Sequence, residues 1–196
     1  MNTLFPIYLK LDQLHTLLVG AGEVGLEKIQ ALLGNSPQAR ISVIALEVSD
    51  AFRQFISDKP LVDLEQRAFL EADIAGKQLI IMATNNPEFN EEVRGLANKH
   101  HVLLNIADKP SLCDFYLGSV VQKGNLKIGI STNGKSPTMA KRIKELLNDL
   151  LPEEIDETLN LMSTYRDQLQ GDLKAKIKAL NAHTENLLHY ESDRAH

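Results

Sequence analysis

His15-Thr16-Leu17-Leu18-Val19-Gly20-Ala21-Gly22-Glu23-Val24-Gly25 joins a short apolar run to a turn with glycine at its first, third and sixth positions. An apolar run that stops at glycine is how a buried parallel strand ends. Beyond the turn, Leu26, Ile29, Leu32 and Leu33 recur at helical spacing, and Gly34-Asn35 supplies a stop. The pattern Gly-x-Gly-x-x-Gly is weak alone, because glycines are common; between a strand and a helix it acquires a mechanism. Gly20 permits the tight turn, Gly22 lets the backbone approach a pyrophosphate, and Gly25 lets helix and strand pack closely. The helix start offers N–H groups and partial positive charge to phosphates. Gly20, Ala21, Gly22, Glu23, Val24 and Gly25 therefore form the candidate dinucleotide-binding turn; the alternative is a glycine-rich turn that holds no ligand.

The flanking sequence alternates in the same manner. A second strand reads over Ile41 to Ala45, and Ser49 can cap a helix reaching Ile56 with Phe52 and Phe55 on its buried side. A weaker strand lies around Leu61 to Gln66, and a fully apolar one over Leu79 to Ala83. Asn86 and Pro87 open a helix that runs to about His100, and Val102 to Ile106 is a fifth strand. This is an α/β pattern, a Rossmann-type doubly wound parallel sheet. Such a sheet takes the adenosine ribose on an acidic residue at the end of the second strand. Glu47 has the fitting separation from Gly25 but lies two positions past the last clear strand residue, so the backbone around Leu46 is the substitute. No arginine neighbours Glu47 in sequence, which favours NAD over NADP. Thr84 and Asn85, after the fourth strand, stand where further cofactor contacts belong.

After residue 107 the pattern changes. Phe115 to Gln122 and Leu126 to Ser131 read as two strands joined by Lys123-Gly124-Asn125, a hairpin signal. Ser136-Pro137 starts a helix with the stripe Met139, Ile143, Leu146, Leu147 and Leu150, ended by Pro152. Helical stretches at about 153–170 and 172–190 follow, separated by Gly171. The expected division is a dinucleotide-binding domain over 1–112, a small hairpin and helix region for dimer contacts over 113–150, and a helical C-terminal domain over 151–196.

Composition sets the outer limits. The 196 residues are 43% hydrophobic and 24% charged, as in ordinary globular proteins. No apolar run approaches the ~20 residues of a membrane span, and the start has no signal-peptide pattern. Cys113 is the single cysteine, which excludes an internal disulfide and a cysteine-based zinc cluster. A cytoplasmic protein, without membrane or nucleic-acid partners, is the expectation. The net charge of −5 is unevenly spread: residues 109–144 contain seven basic side chains against Asp114 alone. That segment is either an anion-facing surface or a solvated face.

Gly129-Ile130-Ser131-Thr132-Asn133-Gly134-Lys135-Ser136 matches the phosphate loop of NTPases letter for letter. Pro137 removes one of the N–H groups such a loop needs, and Gly129 lies inside an alternating strand. No later apolar strand ends in an Asp for magnesium. A less specific role remains, in which Thr132, Lys135, Ser136 and the helix start bind a carboxylate.

Several motifs together are more specific. Phe5-Pro6-Ile7-Tyr8-Leu9, the glycine turn with Glu23-Val24 inside it, Met82-Ala83-Thr84-Asn85, Asn105-Ile106-Ala107-Asp108 and Ser131-Thr132-Asn133-Gly134-Lys135-Ser136-Pro137 follow in this order. The series, over about residues 4–150, resembles the siroheme synthase family, comprising precorrin-2 dehydrogenase and sirohydrochlorin ferrochelatase. The resemblance implies a homodimer that uses NAD to oxidise precorrin-2 to sirohydrochlorin, with ferrous iron inserted as a substrate in bifunctional members to give siroheme. It implies Asp108 as the key acidic residue. Members fused to a methyltransferase are much longer, so synthesis of precorrin-2 itself is not expected here.

The residues support Asp108 independently, because it lies outside the carboxyl end of a parallel strand, beside the crevice where such sheets bind ligands. A carboxylate there can take the proton that leaves the macrocycle as hydride goes to the nicotinamide, and can serve again when pyrrole protons leave on chelation. The alternative is an Asx-turn ahead of Lys109-Pro110. A substrate with several carboxylates gives the basic segment a purpose. His100-His101 reads as a helix-dipole complement before an iron ligand, Cys113 as a packed thiol, and His183 and His189 lack acidic neighbours. No resident metal site is expected. Rival functions are a dehydrogenase without chelatase activity and a non-catalytic NAD-sensing dimeric regulator.

Overall fold

The computed structural model describes residues 2–169 and 173–184. Gly171 and residues 185–190, read above as a separator and a helix end, lie outside the described residues, as does His189. The described residues fall into two compact units, residues up to Ser119 with Ser131–Ala140, and Val120–Ile130 with the described residues from Lys141.

The first unit is built on a five-stranded parallel sheet of β1 (His15–Ala21), β2 (Arg40–Val48), β3 (Val62–Gln66), β4 (Leu79–Met82) and β5 (Leu103–Ile106). Their spatial order is β3-β2-β1-β4-β5, so the chain reverses direction across the sheet between β1 and β4. A doubly wound sheet opens its ligand crevice at such a reversal, outside the carboxyl ends of the strands. Helix α1 (Glu23–Asn35) links β1 to β2, α2 (Asp50–Ile56) links β2 to β3, and α3 (Pro87–His100) links β4 to β5. Only a single 3-10 turn at Glu71–Ile74 lies between β3 and β4, and its Ile74 is buried.

Alternation along the strands sorts the core onto two faces. Leu17, Val19, Ile80, Met82, Leu104 and Ile106 pack with Val93 and Ala97 of α3. Leu18, Ile41, Val43 and Ile81 pack with Ile29, Leu32 and Leu33 of α1 and Phe52 of α2. Helix starts follow the caps read from sequence: Ser49 Oγ accepts from the Phe52 N–H, and Asn86 Oδ1 from the Phe89 N–H with Pro87 first in the helix. Helix α1 continues through Gly34 to Asn35, whose Nδ2 donates to Ala31 O, so the cap sits at Ser36 and not at the glycine.

In the second unit β6 (Ser119–Lys123) and β7 (Leu126–Ile130) form a hairpin, followed by α4 (Pro137–Leu150), α5 (Ile155–Gln168) and α6 (Leu173–Thr184), the strand β6 and helix α4 each beginning in the first unit. Asp156 of α5 clamps the turn, accepting from both the backbone N–H and Nδ2 of Asn125. The strand expected from Phe115 begins only at Ser119. Residues 114 and 115 instead bind the edge of β5: the Asp114 N–H donates to Leu104 O, and Asn105 Nδ2 to Phe115 O. No helix among the described residues is long and apolar enough to cross a membrane.

Candidate active site

Strands β4 and β5 end level with Val19 of β1, Val19 paired with Met82 and Met82 with Ile106. Three segments consequently leave the sheet side by side: the glycine turn, Ala83-Thr84-Asn85, and Ala107-Asp108. The Ala83 N–H still donates to Val19 O and the Ala107 N–H to Met82 O, which ties each exit to its neighbour.

The three glycines are held for three different reasons. Gly20 has φ of +104°, and a β-carbon on it would sit 2.5 Å from the Ala83 carbonyl oxygen. A β-carbon on Gly25 would lie 2.2 Å from Gly20 O, inside any permitted contact. Gly22, the N-cap of α1, has ordinary φ of −85° and nothing within 4 Å of such a carbon. Neither strain nor packing requires glycine there, so the vacant space in front of the helix start is what distinguishes it. A pyrophosphate fits this cradle: open space, unpaired first-turn N–H groups and the positive end of the α1 dipole.

Strand β2 runs three residues beyond the expected Ala45, because Val48 pairs with Ala21 across a bulge in β2 between Ile44 and Val48. Glu47 therefore lies within the strand, exposed, and adjacent to the residue that pairs with the turn. Ser49 reinforces the junction, its N–H and hydroxyl both donating to Ala21 O. Leu46 is 71% exposed, and its carbonyl accepts from Gln66 Nε2. The three-dimensional fold also brings an arginine to this corner that linear proximity did not show: Arg53 donates to Gln66 Oε1. Thr84 leans against the turn, its γ-methyl 3.4 Å from the β-carbon position of Gly20, and its hydroxyl donates to buried Asn90 Oδ1 at 2.9 Å. Asn85 follows it, exposed.

Asp108 has φ of +57°, the left-handed region, which Asp tolerates better than most side chains. Its carboxylate is exposed and takes no hydrogen bond among the described residues, so the Asx-turn ahead of Lys109-Pro110 does not form. Backbone helps close the turn, the Lys109 N–H donating to Ile106 O. A cavity of about 220 Å³ opens beside it, lined by Asp108, Lys109, Lys28, Asn105, Cys113 and Tyr116, with Gly134 and Pro137 among the rest. Lys28, one helical turn beyond Gly25, is the residue linear reading missed. Its side chain is only 19% exposed, and its Nζ pairs with Glu27 at 2.9 Å. Asn105 had a readable signal, since a polar side chain inside an apolar strand needs a partner, here Phe115 O.

The loop read as an anion site is internally bonded. The Ser136 N–H donates to Thr132 Oγ1, and the Thr132 hydroxyl donates back to Ser136 O, each at 3.1 Å. Ser136 Oγ caps α4 by accepting from the Met139 N–H. Asn133 and Gly134 are both left-handed, with φ of +55° and +73°. Thr132 and Ser136 thus hold the loop's shape, and Lys135 is its exposed charge. Gly129 lies inside β7 and Pro137 opens α4, which removes the phosphate-loop reading. His100 pairs with Glu71 at 2.8 Å, and no group of three or more His, Cys, Asp or Glu among the described residues is placed to hold a metal.

Residues 7–119 match the model of a putative NAD(P)-binding family, more than half the chain. The chain belongs to that family. Residues 123–150 match the central region of sirohaem biosynthesis proteins. The siroheme synthase of Vesicomyosocius okutanii is 33% identical over 87% of this chain and 36% of its own length. That of Psychrobacter cryohalolentis is 32% identical over 92% of this chain and 33% of its own. The chain thus spans about a third of the length of these curated relatives. The solved structure of SirC, precorrin-2 dehydrogenase, superposes with a TM-score of 0.67 over 91% of this chain and 88% of that one, at 24% identity, and shares the fold. The resemblance read from the motifs is borne out across the dinucleotide-binding and central regions.

Proposed function

We propose that this chain oxidises precorrin-2 to sirohydrochlorin with NAD, and then promotes insertion of ferrous iron, its second substrate, to give siroheme. The observation that carries the reading is the unengaged Asp108 carboxylate in a cavity shared with Lys28 of α1, the helix that the glycine turn begins. NAD, held by Gly20 to Gly25 with Leu46, Glu47, Thr84 and Asn85 around it, supplies the hydride acceptor. Asp108 takes the proton that leaves the macrocycle, so that hydride and proton together account for the two-electron oxidation. Its carboxylate is exposed, and no partner among the described residues has to be displaced before it acts. Lys28 and Lys109 in the cavity, with Lys135 on the neighbouring loop, offset substrate carboxylates. Thr132 and Ser136 keep that loop in place. The same carboxylate accepts pyrrole protons during chelation. The protein works as a cytoplasmic homodimer, with 1–112 binding the dinucleotide, 113–150 making the dimer contact and 151–196 forming the helical remainder.

The direct test is anaerobic incubation with precorrin-2 and NAD, followed spectroscopically, with ferrous iron added afterwards. NADH and sirohydrochlorin should form together, and metal insertion should then outpace the uncatalysed reaction. No NADH would sink the enzyme reading; oxidation without faster insertion would leave a dehydrogenase alone. NAD should bind more tightly than NADP, since Glu47 repels a 2′-phosphate and the nearby Arg53 already serves Gln66.

A further inference from the structure

Strand β5 is the outermost strand on its side of the sheet, so the outward N–H groups of Leu104 and Ile106 have no strand to receive them. Both end on side chains of one short segment. The Leu104 N–H donates to Asp114 Oδ2 at 2.8 Å, and the Ile106 N–H to Cys113 Sγ at 3.2 Å. Arg94 anchors the segment from α3, its Nη1 donating to Leu112 O and Asp114 Oδ2. The sulfur of Cys113 does more than close an edge. It also lies 3.3 Å from Ile106 O and 3.3 Å from Lys109 O, the carbonyls on either side of Ala107-Asp108.

We infer that Cys113 is a positioning residue for Asp108, its thiol clipping together the two ends of the Ile106–Lys109 turn and fixing where the carboxylate points. The inference rests on the reading of Asp108 as the base. A thiol can accept from the Ile106 N–H while donating its single proton to one of the two carbonyls. Burial pushes the Cys113 thiol above its usual value, so the donor persists at neutral pH. The clip has work to do, because the left-handed conformation of Asp108 costs backbone energy and the carboxylate has no hydrogen bond among the described residues to orient it. A misplacement of about 1 Å at a reacting group can cost on the order of a hundredfold in rate.

Cys113→Val removes donor and acceptor while keeping an apolar, slightly larger side chain; Cys113→Ser keeps both on a shorter arm. Each is compared with wild type in the anaerobic oxidation, alongside Asp108→Asn and NAD titrations, with Cys113→Ala replacing the valine variant should that not fold. The expected result for Cys113→Val is a kcat lower by about tenfold or more, with NAD affinity and the KM for precorrin-2 within about twofold of wild type. Cys113→Ser should recover a large part of kcat. A Cys113→Val enzyme with wild-type kcat, beside an inactive Asp108→Asn, overturns the clip and leaves the base in place. So does a serine variant as impaired as the valine one. A wild type that makes no NADH, or an Asp108→Asn enzyme of full activity, overturns both readings.

Discussion

At Gly25 an added methyl group would meet the Gly20 carbonyl oxygen at 2.2 Å, while at Gly22 it would meet nothing. Backbone cannot yield as a side chain does, so Gly25→Ala should destabilise the protein by about 1–3 kcal/mol or more, read as a lower melting temperature. Gly22→Ala should melt with the wild type yet bind NAD about tenfold or more weakly, the equivalent of ~1.4 kcal/mol, because the methyl group fills the space left for phosphate. Equal NAD affinity in Gly22→Ala would remove the pyrophosphate from that space. These roles were legible in spacing alone, since a strand-to-helix turn dictates them. The left-handed backbone of Asp108 was not, but it selects the better variant. Asn tolerates the same φ, whereas Ala adds strain. Asp108→Asn should therefore keep the melting temperature and NAD affinity and lose about a hundredfold or more in kcat, the scale of a lost general base. A modest loss would place the base elsewhere.

Among the elements, legibility followed local chemistry. Caps at Ser49 and Asn86 carry their own hydrogen-bonding logic and were readable, as were the apolar strands β1 and β4. The run from Phe115 was misread as strand because its partners are distant: Asn105 and the unpaired edge of β5 fix it, and no periodicity reports that. Strand β2 was read short for the same reason, its last residues being held by Ala21. Nor did the sequence show what gathers at the amino ends of the strands. His15 Nε2 of β1 lies 3.0 Å from Ser42 Oγ of β2, and Lys77, just before β4, donates to Ser42 Oγ at 2.7 Å. Burial holds His15 below its usual 6.5, with Lys77 and Arg40 adding to the effect and Asp63 opposing it. The unfolded chain then binds a proton more readily than the folded one, so this stability is complete above pH 6.5 and is lost as pH falls toward the lower folded value. Wild type should lose melting temperature between pH 7.5 and 5 by more than His15→Gln does. Parallel curves for the two would show that the cluster does not couple to folding.

Over the whole molecule, the basic segment that composition marked out is divided between the two compact units. Lys109 and Lys135 belong to the first unit, whereas Lys123, Lys127, Lys141, Arg142 and Lys144 belong to the second. Two of the latter are already paired, Lys123 with Glu153 and Arg142 with Glu145. Lys109 and Lys135 share a unit with Asp108. The apolar stripe of α4 calls for a different explanation. Met139, Leu146 and Leu150 fall on one helix face, at 53, 59 and 62% exposure, flanked by Lys141, Arg142, Glu145 and Asp149. A contiguous apolar face within a polar surface is the mark of an interface. In the homodimer proposed above, the same face of a second copy can cover it, as two-fold symmetry requires. Leu146→Glu puts a charge at the centre of that stripe. It should leave the helical content unchanged and convert the protein from dimer to monomer in sedimentation equilibrium at micromolar concentration. A variant that remains dimeric would move the contact off this helix, and a wild type that sediments as a monomer would remove the dimer from the proposal.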